Sequence, residues 1–137
     1  MIEKLEKLSM SKTAITRLFS VAIAFVVAGS VSGTAVAIWA LVNGAITLGG
    51  TQFVTIDIGT FAGAIVGLVL ASLLTAAGTL AAIAAWIGAL SNTARLTDKT
   101  WFTALLVSGL VSLGWVAMIA YVLRGPDSTT AAPVAAA

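Results

Sequence analysis

The stretch that decides the fold runs from Gly59 to Leu90, GTFAGAIVGLVLASLLTAAGTLAAIAAWIGAL, and it contains no Asp, Glu, Lys, Arg or His. At 1.5 Å per residue, a helix over this range reaches about 48 Å, which exceeds the ~30 Å hydrocarbon core of a bilayer. The range is still too short for two spans and a turn. It therefore predicts one long transmembrane helix that is tilted or projects into the headgroup layers.

Two more apolar runs flank this stretch, Leu18 to Val42 and Trp101 to Leu123, and neither contains a charged residue. The whole chain is 60% hydrophobic and 9% charged, whereas a soluble domain carries about one quarter charged residues. Each run is long enough to cross a membrane. The predicted fold class is therefore all-α, a polytopic integral membrane protein built as a bundle of three transmembrane helices.

The polar segments divide the rest of the chain. Asn43-Gly44 predicts a helix end because both residue types tolerate the left-handed conformation. Thr and β-branched residues around Gly49-Gly50 predict a short extracytoplasmic β-hairpin, although an irregular loop fits almost as well. Asp57 is expected to cap the next helix. The predicted order is a charged amphipathic segment 1–17, spans 18–42, 59–90 and 101–123, connectors 43–58 and 91–100, and a disordered tail 124–137.

A cleavable leader is an alternative for the first apolar run. A basic start, the apolar LFSVAIAFVVA and the small residues that end at Ala35-Val36-Ala37 resemble a secretory signal peptide. The apolar character continues through IWALV beyond the expected cleavage point, which makes the run long enough to remain as an anchor. The sequence favours the anchor and leaves cleavage near Ala37 open.

Positive charge predicts the threading, because Lys and Arg near span ends collect on the cytoplasmic side. The connector 43–58 has no such residue. We therefore expect a bacterial cytoplasmic-membrane protein with its N-terminus inside and its C-terminus outside, with Arg124 as the exception. Trp39 and Tyr121 would lie at the outer headgroup level, and Trp86 and Trp101 at the inner one. The topology-determining residues are Lys4, Lys7, Lys12, Arg17, Arg95 and Lys99.

Small residues recur at intervals of four in the spans. Such a stripe lets two helix backbones approach closely, and in lipid this packing replaces the missing hydrophobic drive between helices. The stripe could serve intramolecular packing, self-association or the lining of a pore. The predicted helix-packing residues are Gly29, Gly33 and Ala37 in the first span, Gly59, Gly63, Gly67 and Ala71 in the second, and Ser108 and Ser112 in the third.

The composition excludes several function classes. The net charge is +2 with scattered cations, which does not make a nucleic-acid surface. The sequence contains no Cys and no His, so the commonest transition-metal ligands and a His-based acid–base site are missing. No charged residue lies inside a span, where proton relays and ion-coupled transporters place such groups. We expect no catalytic residue, no metal and no cofactor.

A resemblance concerns residues 84 to 127, and it is carried by AAWIGALSNTARLTDKTWF and GWVAMIAYVLRGPD. These segments resemble the C-terminal hairpin of small actinobacterial integral membrane proteins without an assigned function. They are also distantly similar to the N-terminal membrane hairpin of phospholipase D-type enzymes, with Trp101 and Tyr121 in corresponding places. That family works with histidine-lysine-aspartate motifs, and this sequence contains no histidine. The resemblance therefore implies a membrane module and no lipase or synthase activity.

These observations predict a non-catalytic integral membrane protein. Its expected role is that of an accessory or regulatory subunit that acts through helix–helix association, and the expected partners are the lipid bilayer and either a second copy or another membrane protein. The alternative is an oligomeric pore, holin-like or mechanosensitive, in which the glycine face of residues 59 to 79 lines the opening. An enzyme is disfavoured, because Asp57 has no partner base, nucleophile or metal ligand.

Overall fold

The computed structural model of the chain describes residues 10–48 and 54–126. Four helices and two short strands follow one another in this order: α1 Lys12–Val42, β1 Ile46–Leu48, β2 Val54–Ile56, α2 Ile58–Ala94, α3 Thr100–Leu110 and α4 Gly114–Arg124. Two of the helices, α1 with 31 residues and α2 with 37, are long and apolar enough to cross a membrane. The predicted disordered tail beyond residue 126 and most of the predicted segment 1–17 lie outside the described residues.

The chain divides into two compact units, and both long helices run through each of them. The first, called here the dock unit, holds the start of α1 up to residue 20, the end of α2 from residue 81, and all of α3 and α4. The second, called the stem unit, covers residues 21–80 and so contains the rest of α1 and α2 and both strands.

The end of α1 follows its sequence signal. The Gly44 N–H donates to Leu41 O at 3.3 Å and the Ala45 N–H donates to Ala40 O at 2.9 Å, with Gly44 at φ +74°. These two bonds form a Schellman motif, in which glycine normally takes the left-handed position. Asn43 and Gly44 therefore end the helix as predicted.

The predicted β-hairpin is confirmed as a two-stranded antiparallel sheet. Ile46 pairs with Ile56 and Thr47 pairs with Thr55, and the two Thr hydroxyls share a hydrogen bond. Such cross-strand Thr pairs are among those that stabilise a two-stranded sheet. Below the strands, Ala40, Ala45 and Ala64 form a small buried cluster with Val36 against it.

The third predicted span differs from the structure. The sequence predicts one uninterrupted helix over 101–123, whereas α3 ends at Leu110 and α4 begins at Gly114. Trp101, at the start of α3, contacts Tyr121 near the end of α4, with ring centroids 6.2 Å apart. The two helices therefore run antiparallel, and we call this pair the helical hairpin. The structure confirms a mostly helical chain with two long apolar helices, and it does not confirm a three-helix membrane bundle.

A second Schellman motif makes the turn of the helical hairpin. The Ser112 N–H donates to Gly109 O at 3.3 Å, and the Leu113 N–H donates to Ser108 O at 2.8 Å. Ser112 takes the left-handed position with φ 63° and is the only non-glycine residue with positive φ in the described part of the chain. A side chain in this conformation costs about 1–2 kcal/mol, so the turn is strained.

Replacing Ser112 with glycine is expected to raise the free energy of unfolding by about 1 kcal/mol, because glycine removes the left-handed penalty at the same turn. The measurement is thermal unfolding of the purified protein in detergent, followed by circular dichroism. The matched control is the reverse change, Gly44→Ser, which should destabilise by a similar amount. A Ser112→Gly variant that melts below the wild type would contradict the turn.

Candidate helix-packing site and hairpin dock

Buried and half-buried positions on both long helices recur at intervals of three and four residues, which alternate except for two successive intervals of four on α2. This is the heptad spacing of helices that pack along a left-handed seam. On α1 the buried and half-buried positions of this seam are 15, 19, 22, 26, 29, 33, 36 and 40; on α2 they are 64, 67, 71, 75, 78, 82, 85, 89 and 92.

Glycine brings the two backbones of the stem unit closest together at two points. A Cβ on Gly29 would lie 2.8 Å from Thr75 N and 2.9 Å from Ala71 O. A Cβ on Gly78 would lie 2.8 Å from both Ala22 O and Val26 N. Because these neighbours are backbone atoms, they cannot turn aside as a flexible side chain would. Each helix therefore supplies a glycine that admits the backbone of the other.

Other predicted packing residues also meet in the stem unit. A Cβ on Gly67 would lie 2.9 Å from a methyl group of Val36, so the valine side chain fills the space above this glycine. A Cβ on Gly33 would lie 3.4 Å from Ala71 Cβ, and Ala71 is buried. Gly29, Gly33, Gly67 and Ala71 thus come together at the contact of α1 with α2.

The remaining predicted packing residues have other surroundings. Gly63 would meet only the edge of the Trp39 ring, at 3.9 Å, and Gly59 only the Asp57 carboxylate, also at 3.9 Å. Ala37 is half-buried. Ser108 donates its hydroxyl to Leu105 O, and its own carbonyl accepts the turn bond from Leu113. Ser112 has the positive φ of the turn, and its role as a packing residue stays a prediction.

In the dock unit, Trp86 of α2 holds the first helix of the helical hairpin. Its indole Nε1 donates to Leu105 O at 3.2 Å, and its ring covers Gly109 so closely that a Cβ there would lie 2.3 Å from a ring carbon. Leu105 has no exposed surface. Trp86 is thus occupied by packing, and the prediction that it belongs to an aromatic belt missed this role.

Tyr121 holds the second helix of the helical hairpin. Its side chain has no exposed surface, and its hydroxyl accepts a hydrogen bond from Asn92 Nδ2 at 2.5 Å. Gly125 packs against the Tyr121 ring so tightly that a Cβ on Gly125 would lie 2.3 Å from a ring carbon. Phe19 of α1 adds a contact with Trp115, with ring centroids 5.7 Å apart. Tyr121, predicted at the outer headgroup level, and Trp101, predicted at the inner one, are neighbours in the structure.

The cations predicted to set topology lie in the dock unit or outside the described residues. The Lys12 ammonium donates to Gly125 O, and the Lys99 ammonium donates to Ala94 O at the end of α2, where a cation complements the helix dipole. Arg17 and Arg95 are exposed. Lys4 and Lys7 lie outside the described ranges.

The contact of Lys12 with Gly125 brings the start of α1 next to the end of α4. The sequence predicts the N-terminal segment inside and every residue after 123 outside. In the structure the Lys12 ammonium lies beside Gly125 O, so the start of α1 and the residue that follows α4 are neighbours. The turn at Ser112 makes this contact possible, because it returns α4 toward the start of α3.

Two carboxylates lie in the described ranges, and both accept hydrogen bonds at helix starts. Asp57 Oδ2 accepts the Thr60 N–H at 3.2 Å and the Thr60 hydroxyl, which confirms the predicted cap of α2. Asp98 Oδ1 accepts the Thr100 N–H at 2.9 Å and the Thr100 hydroxyl at 2.5 Å. The threonine hydroxyl, followed by the N–H, lowers the pKa of each carboxyl below 3.8.

Sequence reasoning missed four features of these contacts. Gly78, Gly109 and Gly125 each face a neighbour that leaves no room for a Cβ, and Asn92 is a buried polar partner for Tyr121. The four-and-three spacing could have found Gly78 and Asn92, because both lie on the α2 seam. Nothing in the sequence pairs Trp86 with Gly109, since that contact depends on the fold-back of α3 and α4.

Comparison with protein-family models, with curated protein sequences and with solved structures gave no match to this chain. Among the described residues, no three His, Cys, Asp or Glu side chains group in a way that could hold a metal ion.

Proposed function

We propose that this chain is a non-catalytic integral membrane protein that acts as an accessory or regulatory subunit through contacts between its helices and those of another membrane protein. The observation that carries the proposal is the exposure of the long helices. In their most apolar 18-residue windows, only 11% of α1 and 17% of α2 is buried. Helices of a soluble core would be mostly buried, whereas these need lipid or other spans around them.

The proposed threading has two spans, α1 and α2, and a helical hairpin that enters from the cytoplasmic side and returns to it. In this arrangement Arg124 no longer lies outside, because α4 ends beside Lys12. All seven Lys and Arg residues of the sequence then belong to cytoplasmic segments or span ends, as the positive-inside rule expects. The strands β1 and β2 lie on the outer side, and the membrane is the bacterial cytoplasmic membrane.

The surface left for a partner consists of bulky apolar side chains. Leu70 and Leu73 on α2 and Val31 on α1 each expose more than 60% of their surface. The contact of α1 with α2 takes up Gly29, Gly67 and Gly78 of the stem unit. The same observation argues against the pore alternative. A lumen lined by residues 59 to 79 needs that face to be free, but Gly67, Ala71 and Gly78 face α1.

No chemical role is part of the proposal. Asp57 and Asp98, the carboxylates of the described ranges, each serve a helix start. General acid–base or nucleophilic work needs a second group within hydrogen-bond reach of the reacting atom. The hydroxyls of Ser72, Thr75 and Thr79 donate to carbonyls one turn earlier in their own helix, which accounts for them without a substrate.

Cysteine labelling from outside intact cells tests the threading, and the native chain contains no cysteine of its own. Single replacements are made at Ser11, Thr51, Thr97 and Ser128. We expect a membrane-impermeant maleimide to label Thr51→Cys in intact cells and the other three only after permeabilisation. Labelling of Ser128→Cys together with Thr51→Cys would restore three spans and overturn this threading.

Photo-cross-linking in native membranes tests the accessory role. A benzophenone amino acid is placed at Leu70, which is 62% exposed, or at the adjacent Ala71, which is 5% exposed. We expect one discrete adduct of higher mass from an exposed position such as Leu70 and none from Ala71, because Ala71 faces α1. If scanning of the exposed positions of α1 and α2 yields no adduct with any protein, the accessory role is wrong.

A further inference from the structure

The helical hairpin is too short to cross a bilayer. Each of its helices has 11 residues, which gives a length of about 16 Å at 1.5 Å per residue, half of the ~30 Å hydrocarbon core. The start of α3 and the end of α4 lie side by side, since Trp101 contacts Tyr121. The start of α1 lies beside them, since Lys12 contacts Gly125. On the threading proposed above, on which this inference rests, the hairpin reaches only about halfway into the membrane.

The turn of the helical hairpin is suited to hydrocarbon. Leu110, Val111 and Leu113 expose 79%, 62% and 56% of their surface there. The N–H groups of Val111, Ser112 and Leu113 all donate to carbonyls of the preceding turn, at 3.1, 3.3 and 2.8 Å. In lipid an unbonded N–H costs several kcal/mol, so an irregular turn is tolerated only when its donors are bonded within the protein. The apolar surface and the bonded N–H groups of residues 111–113 fit acyl chains, and α4 then begins without a side-chain cap.

A hairpin that stops at mid-membrane adds protein to one leaflet only. Two helices, each about 10–12 Å in diameter, occupy roughly 200 Å² in the cytoplasmic leaflet, and the opposite leaflet has no counterpart from α3 and α4. The cytoplasmic leaflet has more room where it is convex. We infer that the protein favours membranes whose cytoplasmic leaflet is convex, and that the helical hairpin gives it this response to curvature.

Depth measurement is the first part of the test. A fluorophore is attached to Val111→Cys, with Leu123→Cys as the matched control near the outer end of α4, and the protein is reconstituted with lipids brominated at different acyl depths. We expect Val111 to be quenched most strongly by bromines near the bilayer centre and Leu123 by bromines near the headgroups. Strongest quenching of Val111 at headgroup depth would overturn the inference.

Orientation in vesicles of two sizes is the second part. Thr97→Cys protein is reconstituted into small sonicated and large extruded vesicles of one lipid composition. An impermeant maleimide then measures the fraction of molecules whose residue 97 faces the outside of the vesicle. The outer leaflet of a small vesicle is strongly convex. We therefore expect the outward-to-inward ratio to be about threefold or more higher in small vesicles than in large ones, because curvature makes the free energies of the two orientations differ.

The outcomes separate this inference from the proposed function. An orientation ratio independent of vesicle size, with Thr51→Cys and Thr97→Cys still on opposite sides of the bilayer, overturns the curvature response and leaves the threading intact. Labelling of both positions from the same side in every vesicle, or recovery of the chain without lipid, overturns the proposed function itself. A rise in the ratio together with central depth for Val111 supports the inference.

Discussion

Replacing Gly78 with alanine is expected to lower the free energy of unfolding by about 2–3 kcal/mol, the upper range for a side chain forced into a well-packed interface. The added Cβ would lie 2.8 Å from Ala22 O and 2.8 Å from Val26 N. Since both neighbours are backbone atoms of α1, relief requires the two helices to move apart, and contacts along the stem unit loosen with them. The measurement is unfolding of the purified protein by titration with a denaturing detergent.

The matched control is Gly63→Ala in the same helix. A Cβ at that position would meet only the Trp39 ring edge at the ordinary distance of 3.9 Å. We expect this variant to be unchanged or slightly more stable, because alanine is the better helix former. Equal destabilisation by the two substitutions would show that glycine content alone, and not the close approach at Gly78, determines the stability of the stem.

Replacing Tyr121 with alanine is expected to release the helical hairpin, at a cost of about 3–5 kcal/mol for a buried aromatic side chain. Tyr121 has no exposed surface, contacts Trp101 and accepts the hydrogen bond from Asn92. Its loss removes packing from α4 and leaves a buried amide with one partner fewer. The measurement is amide hydrogen exchange, in which α3 and α4 should lose protection while residues 21–80 keep theirs.

Two further variants separate packing from hydrogen bonding at this position. Tyr121→Phe keeps the ring and removes the hydroxyl, so a cost of about 1–2 kcal/mol is expected from the lost bond to Asn92. Leu123→Ala, at a position 72% exposed on the same helix, should change protection little. If Leu123→Ala releases the hairpin as strongly as Tyr121→Ala, the docking role of Tyr121 is wrong.

The two long helices and the β-hairpin could be predicted because their signals are local. Uncharged runs marked α1 and α2, Asn43-Gly44 marked the end of α1, and alternating β-branched residues marked the strands. Each depends on hydropathy or on the preference of a residue type for one backbone conformation. Such signals do not require knowledge of which segments meet in space.

The break in the third apolar run could not be read in the same way. No charged residue interrupts the run from Trp101 to Leu123. A Schellman motif is usually recognised by a glycine in the left-handed position, whereas this turn places Ser112 there. Contacts from outside the run hold the fold-back, namely Trp86 on Gly109 and Asn92 on Tyr121. Tertiary contacts thus override the local preference for one straight helix, and residues 111–113 absorb the resulting strain.

An interval of four locates only some of the small residues at which α1 and α2 approach each other closely. A strict interval of four follows one face for a few turns and then drifts away from it. The structure instead alternates four and three, which keeps Gly78, Ala82 and Ala85 on the seam after Ala71. Gly59 and Gly63 satisfy the interval of four, yet a Cβ added at either position would lie 3.9 Å from its nearest neighbour.

The strained turn at Ser112 has a consequence for the order of events during synthesis. Lys12, Trp86 and Asn92, which receive α3 and α4, are all made before the turn itself. Domains and their parts generally assemble from the N-terminal side as the ribosome proceeds. The helical hairpin is accordingly assembled after α1 and α2, and it packs against residues of these two helices that are already in place.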